Sequence, residues 1–212
     1  METHELIKAL AADARRSGMS MSVAWRGAVV AAIVVAAIAF FALLGARPDI
    51  ASAAQTVRFP FKFVVTIALA VSAFGVLRLL SRPETGTRRS LPPLVIAPAL
   101  LAAGLVAELT VTSPGTWSAR LVGTNSLVCL TFIPLTGAGP LALLLLALRH
   151  GAPSHPSLAG AVAGLTAGGI AATFYAAHCT DDSPLFVATW YTIAIAMLTL
   201  AGAFGARATA RW

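Results

Sequence analysis

Cys129 and Cys179 are the only two cysteines in the chain, and one of them sits in its most chemically dense run, His178-Cys179-Thr180-Asp181-Asp182-Ser183-Pro184. An imidazole, a thiol and two carboxylates fall within five residues there. Thiolate, imidazole and carboxylate together ligate soft or borderline metals, and two thiols in an oxidising compartment close a disulfide. The same residues also have plain structural uses. Cys packs as a small hydrophobe, and Asp-Asp-Ser-Pro is a turn and a helix start. Three readings therefore stand for the cysteines: packing, redox or metal sensing, and a constitutive disulfide. The spacing fits no standard metal site. No constitutive cofactor is expected. On the sensing reading, a transient heavy-metal ion binds Cys129 and Cys179, with His178, Asp181 and Asp182 as auxiliary ligands.

The second informative stretch is the N-terminal arm, residues 1–26. Thr3 is a good helix N-cap, and Glu5 suits the positive end of a helix dipole. Leu6, Ile7, Leu10, Ala11 and Ala14 recur at helical spacing and line one face. A helix this short is marginal alone. Its apolar face calls for a partner's groove, the membrane surface or nothing at all, in which case it frays. The face is small and its polar side is not strongly basic, which counts against the membrane surface.

The elements that must position these residues follow from composition. The 212 residues are 58% hydrophobic and 11% charged, with mean hydropathy +0.84. A soluble domain carries roughly twice that charged fraction, so the bilayer is the solvent for most of the chain. Apolar runs of about 20 residues mark membrane helices. They predict an all-α bundle of six transmembrane helices, over 27–45, 61–80, 91–109, 121–148, 158–177 and 185–206, with a tail at 207–212. Lys62 and Arg78 flank the second run and are expected to snorkel toward the interfaces. Glu108 ends the third and is expected at an interface.

With six spans both termini share a side. That side holds eleven Lys and Arg residues and the other holds four, Arg47, Arg58, Lys62 and Arg120. The asymmetry places both termini in the cytoplasm. A cleavable signal peptide is the rival for the first run, since Ala51-Ser52-Ala53 resembles a cleavage site. The run is too long for one, and the arm before it, with three acids, is wrong for an n-region.

Gly160, Gly164 and Gly168 recur every fourth residue on the fifth span. Such a row lets another helix backbone approach closely, inside the bundle or in a second copy. The fourth span carries Pro134, Gly137, Gly139 and Pro140, a set that kinks helices and can serve as a hinge. Ionisable groups at mid-membrane depth, as transporters need, are absent from the sequence-derived spans. No Ser/His/Asp set, His-Glu-x-x-His or phosphate loop occurs. An enzyme is therefore not expected. Direct nucleic-acid binding is not expected either, because the basic residues fall between apolar runs with no interleaved aromatics. A small transporter or channel-accessory protein, and a purely structural membrane subunit, remain as alternative classes.

Five blocks together carry a resemblance: Thr3-His4-Glu5-Leu6-Ile7-Lys8-Ala9-Leu10-Ala11-Ala12-Asp13; Leu44-Gly45-Ala46-Arg47-Pro48-Asp49; Ser126-Leu127-Val128-Cys129-Leu130; Arg149-His150-Gly151-Ala152-Pro153; and Cys179-Thr180-Asp181-Asp182-Ser183-Pro184-Leu185-Phe186-Val187-Ala188-Thr189-Trp190-Tyr191. In these the chain resembles the NrsF family of membrane anti-sigma factors, along its whole length and in the same order. The Cys-x-Asp-Asp-Ser block is the specific one. The resemblance implies a negative regulator in the bacterial inner membrane that holds an extracytoplasmic-function sigma factor away from RNA polymerase. It implies that the arm makes the contact, here through Leu6, Ile7, Leu10 and Asp13. It also implies that Cys129 and Cys179 respond to metal or oxidative stress outside and release the sigma factor. The kinked fourth span is the expected moving part, and the cysteines are expected within reach of each other at the outer face.

Overall fold

The computed structural model describes residues 3–5, 21–82 and 91–209, and all structural statements below concern those residues. Leu6, Ile7, Leu10 and Asp13, the expected sigma-factor contacts, lie outside them.

The elements in chain order are α1 (Met21–Leu43), the short α2 (Ile50–Ala53), α3 (Arg58–Leu80), and a 3-10 turn (Pro92–Val95) leading into α4 (Ile96–Val111). A second 3-10 turn (Pro114–Thr116) leads into α5 (Trp117–Val122), followed by α6 (Ser126–Leu148) and α7 (Pro156–Ala176). The last helix, α8, comprises Pro184–Phe186, a π-helical turn Val187–Tyr191, and Thr192–Thr209. Helices α1, α3, α4 with its lead-in, α6, α7 and α8 are each long and apolar enough to cross a bilayer. The chain is thus an all-α, six-span bundle. Its loops fall at two ends: one near the chain termini, the other, called distal here, carrying Cys179.

Helix α7 is the hub. Two thirds of its span is buried, against 17% for α1 and 11% for α4, which face outward. It packs on α8, α3 and α6. The small-residue row explains how it fits. A side chain at Gly160 would run into the Gly202 carbonyl oxygen, and one at Gly164 into the Leu198 carbonyl oxygen, both on α8; a Cβ at Gly168 would sit 2.9 Å from Ile195. The α8 backbone fills the row, which leaves no surface there for a second copy and removes the basis for an oligomer through the fifth span.

Several expected boundaries shift. The first span begins at Met21, inside the expected 1–26 arm, because Ala24 and Trp25 are buried and continue the helical face. The expected fourth span, 121–148, is two helices. Gly123 breaks it with φ +58, a left-handed conformation that glycine adopts without strain. Any side chain there would also strike the Phe186 ring. Pro134 and Pro140 lie inside a continuous α6.

Candidate functional site

The distal end is built from three connections. Helix α7 ends at Ala176, and the Cys179 amide donates back to the Tyr175 carbonyl at 3.0 Å. Ser183 then caps α8, its hydroxyl accepting from the Leu185 amide at 3.3 Å, with Pro184 in the first helical turn. The segment between is therefore fixed at both ends, and it carries Cys179, Asp181 and Asp182.

Across from it lies the strap after α1. The amides of Leu44 and Gly45 both donate to the Phe40 carbonyl, and Gly45 has φ +73, the left-handed residue that ends a helix and turns the chain. The Arg47 amide then donates to the Ala177 carbonyl at 3.0 Å. His178 Nδ1 lies 3.0 Å from the Gly45 carbonyl oxygen, which only accepts, so that nitrogen carries the proton.

Two cations converge on the Cys179 peptide. Lys62 Nζ donates to the Cys179 carbonyl at 2.9 Å and pairs with Asp182 at 2.5 Å. The Arg47 guanidinium reaches the same carbonyl at 3.3 Å and Asp182 at 3.0 Å, while its other edge grips Asp49 with two bonds of 2.6 and 2.7 Å. These two bonds, donated by the guanidinium to Asp49, hold the Arg47 proton above its ordinary value and Asp49 below the usual carboxylate range. Both cations also lie over the Phe59 ring, 5.7 and 5.3 Å from its centre. Lys62 is fully buried at 0% exposure. The snorkelling expected of it is wrong, because an internal carboxylate and a carbonyl replace the water it would have sought.

A second ionic group seals the rim. Glu108, 3% exposed, pairs with Arg58 at 2.9 Å and Arg120 at 3.1 Å and accepts from the Ser183 hydroxyl at 3.2 Å. Glu108, in the last turn of α4, thus lies buried beneath two arginines. Asp181 accepts from the amides of Thr124 and Asn125 at 3.0 and 2.8 Å, pinning the Gly123 turn and the start of α6. The four cations on this side are thus matched by four carboxylates, Asp49, Glu108, Asp181 and Asp182.

Beneath these groups both cysteines are buried free thiols. Cys129, on the first turn of α6, and Cys179 belong to one apolar cluster with Tyr175, Phe186 and Tyr191. The Cys179 thiol donates to the Asp181 carbonyl at 3.7 Å. The Tyr191 hydroxyl is buried beside the Cys179 thiol. Burial pushes the Cys179 thiol above the ordinary range, with the Lys62 ammonium acting the other way. The resting site is therefore a protonated, shielded pair of thiols, slow to react.

The auxiliary ligands expected from sequence are already engaged: His178 with Gly45, Asp181 with two amides, Asp182 with two cations. Among the described residues no group of three or more His, Cys, Asp or Glu is arranged to hold a metal. A metal at the thiols would have to draw these side chains away from present partners. Arg47, Lys62 and Glu108 are the members of the site that sequence reading did not single out. Their signal was the set of charges at span ends that share one side.

Six membrane-crossing helices that enclose two thiols beneath an ion-paired end define a polytopic helical membrane protein with a shielded dithiol site. The family profile described as "Negative regulator of sigma F", NrsF, matches residues 10–212, and the chain belongs to that family. It is 36% identical to the Anti-sigma-F factor NrsF of Caulobacter vibrioides over 218 aligned residues, covering all of both chains. It is 30% identical to the Probable anti-sigma-F factor NrsF of Azospira oryzae over 222, again end to end. No solved structure matches it.

Proposed function

We propose that this chain is a membrane-bound anti-sigma factor of the bacterial inner membrane. It sequesters an extracytoplasmic-function sigma factor through its N-terminal arm, with both termini in the cytoplasm. It releases that partner when Cys129 and Cys179, at the outer face, meet a soft metal ion or an oxidant. The observation that carries the reading is the pair of free thiols buried together at the end opposite the termini, in a chain related end to end to proteins named anti-sigma-F factors.

The chemistry balances in either mode. A soft divalent ion replaces the two thiol protons with two metal–sulfur bonds. A two-electron oxidant such as a peroxide takes two electrons and two protons as the sulfur–sulfur bond forms. Each product carries a shape or charge that the apolar cluster around Tyr175 and Tyr191 was packed to exclude.

A transporter reading finds less support. A cavity of about 460 Å³ between α3, α4, α7 and α8 is lined by apolar side chains such as Leu69, Leu101 and Ile195, with hydroxyls from Thr and Tyr and no charged group. It offers no polar path. The test is affinity capture of sigma factors from membranes. The intact chain is expected to retain an extracytoplasmic-function sigma factor, and a chain lacking residues 1–16 to lose it. Equal capture by both overturns the arm as the contact.

A further inference from the structure

We infer that Arg47 and Lys62 are positioning residues that couple the state of Cys179 to α1, and that α1, rather than the proline-bearing α6, is the rod that carries the signal to the N-terminal arm. This deepens the proposed release and rests on it.

Three observations support it. The first is the density of bonds between the Cys179 segment and the strap that continues α1. Arg47 N–H to Ala177 O, His178 to Gly45 O, and Arg47 to both Cys179 O and Asp182 make one clamp, and Lys62 anchors the same carbonyl and carboxylate to α3. Any change at Cys179 that rotates its peptide must move Arg47, and Gly45 joins Arg47 to α1 through a helix-ending turn bonded back to Phe40.

The second is how lightly α1 is held along its length. Its buried residues are three alanines, Trp25 and Phe40. Two of those alanines, Ala32 and Ala36, belong with Ile170 to a small cluster separate from the main core. A helix held by small side chains against a smooth surface slides or tilts as a body with little repacking.

The third is the seat at the other end. Trp25, one turn into α1, is 1% exposed, and its indole N–H is buried without a hydrogen-bond partner among the described residues. Its ring stands edge-on to Phe74 at 6.1 Å, itself under Arg78. An orphaned buried donor is a cost that a displaced helix relieves by bringing the indole to water. The near end of α1 is thus poised, and the chain leads from it directly into the arm. Helix α6, by comparison, is 39% buried against 17% for α1, and it is wedged on α8, where a side chain at Gly137 would run into Leu198.

The experiment uses the full chain in lipid nanodiscs with Trp117, Trp190 and Trp212 changed to Phe, so that Trp25 alone fluoresces. The oxidant is diamide, whose azo group takes up two protons and two electrons as two thiols become a disulfide; disulfide formation is counted by mass. Oxidised protein is expected to show red-shifted Trp25 emission and stronger acrylamide quenching. Arg47→Ala is expected to show both without oxidant, and Arg47→Lys, which keeps the charge but not the fork, to fall between. Sigma-factor affinity measured on the same samples should fall about 5- to 150-fold with the Trp25 change, the usual range of allosteric coupling. Two outcomes overturn the inference: Trp25 unmoved in protein shown to be oxidised, or Arg47→Ala indistinguishable from the parent. A Trp25 change with unaltered sigma-factor binding would leave the coupling standing and overturn the proposed function instead.

Discussion

Asp182→Asn provides a sharp energetic test of the distal end. The change is nearly isosteric but removes the carboxylate that Lys62 and Arg47 share. Arg47 keeps Asp49, which is 51% exposed, so its charge stays paired. Lys62 has no such recourse: it is 0% exposed, and its remaining partner, the Cys179 carbonyl, is neutral. Removing one member of a buried pair costs about 3–5 kcal/mol. In a chain of this length that lowers the unfolding midpoint by about 6–20 °C. Glu108→Gln makes the contrast. It also strips a buried carboxylate from two cations, but Arg58 and Arg120 are 40% and 34% exposed and can turn to water. Its cost should approach that of a surface pair, about 1 kcal/mol or less. A compensated double variant, Lys62→Met with Asp182→Asn, should recover much of the loss, because no unpaired buried charge remains. Thermal unfolding in one detergent, read by circular dichroism, decides the matter. If Asp182→Asn stays within about 1 kcal/mol of the parent, or Glu108→Gln costs more than Asp182→Asn, the assignment of the buried ionic core is refuted.

Reporter fusions at Arg120 and Trp212 test the topology; the first should report outside and the second the cytoplasm, and a periplasmic signal from the second defeats the model of both termini inside. Changing Leu6 and Leu10 together to Asp places charge on an apolar contact and should abolish sigma-factor capture; unchanged capture removes that face from the interface. Cys129→Ser and Cys179→Ser should each keep repression but blunt the response in a sigma-dependent reporter, since serine is a poor soft-metal ligand and forms no disulfide; variants that respond like the parent sink the dithiol mechanism. Because the folded state holds the Cys179 proton more tightly than the unfolded chain, its contribution to stability is present at neutral pH and shrinks as pH rises above about 8.5, which a pH series of melting curves on parent and Cys179→Ser would show. Gly164→Leu drives a side chain into the α8 backbone at Leu198, where nothing can rotate away, and should prevent accumulation of folded protein; folded, stable Gly164→Leu protein would contradict the α7–α8 contact.

The six spans were legible because the bilayer imposes a length and a composition that local sequence must satisfy. The split at the fourth span was not. Leu121 and Val122 read as a continuation of the apolar run, and the break depends on Asp181, more than fifty residues away, capturing the amides of Thr124 and Asn125. Lys62 failed for the same reason. A lysine at a span end ordinarily reaches for water, and nothing near it in sequence announces a carbonyl 117 residues later. The cysteine segment could be named from its residue types, but the partners of its two acids could not: an arginine and a lysine hold Asp182, and two backbone amides hold Asp181. Partners distant in sequence carry no periodicity.

The ionic end divides into two halves with different exposure, and the division bears on the proposed trigger. Glu108, Arg58 and Arg120 form a rim half open to solvent, where salt screens their attraction. Arg47, Lys62 and Asp182 lie inside, and two of them hold the Cys179 carbonyl. Screening reaches buried pairs far less. A change of ionic strength at the distal end therefore loosens the rim while leaving the clamp on Cys179 closed. Chemistry at the thiols acts in the opposite order, from the apolar cluster outward, and meets the clamp first. On the proposed mechanism, this arrangement lets a thiol reagent act on the chain where salt does not. It also requires the reagent to pass the rim, so high salt should speed the reaction at Cys179 while leaving its end point unchanged.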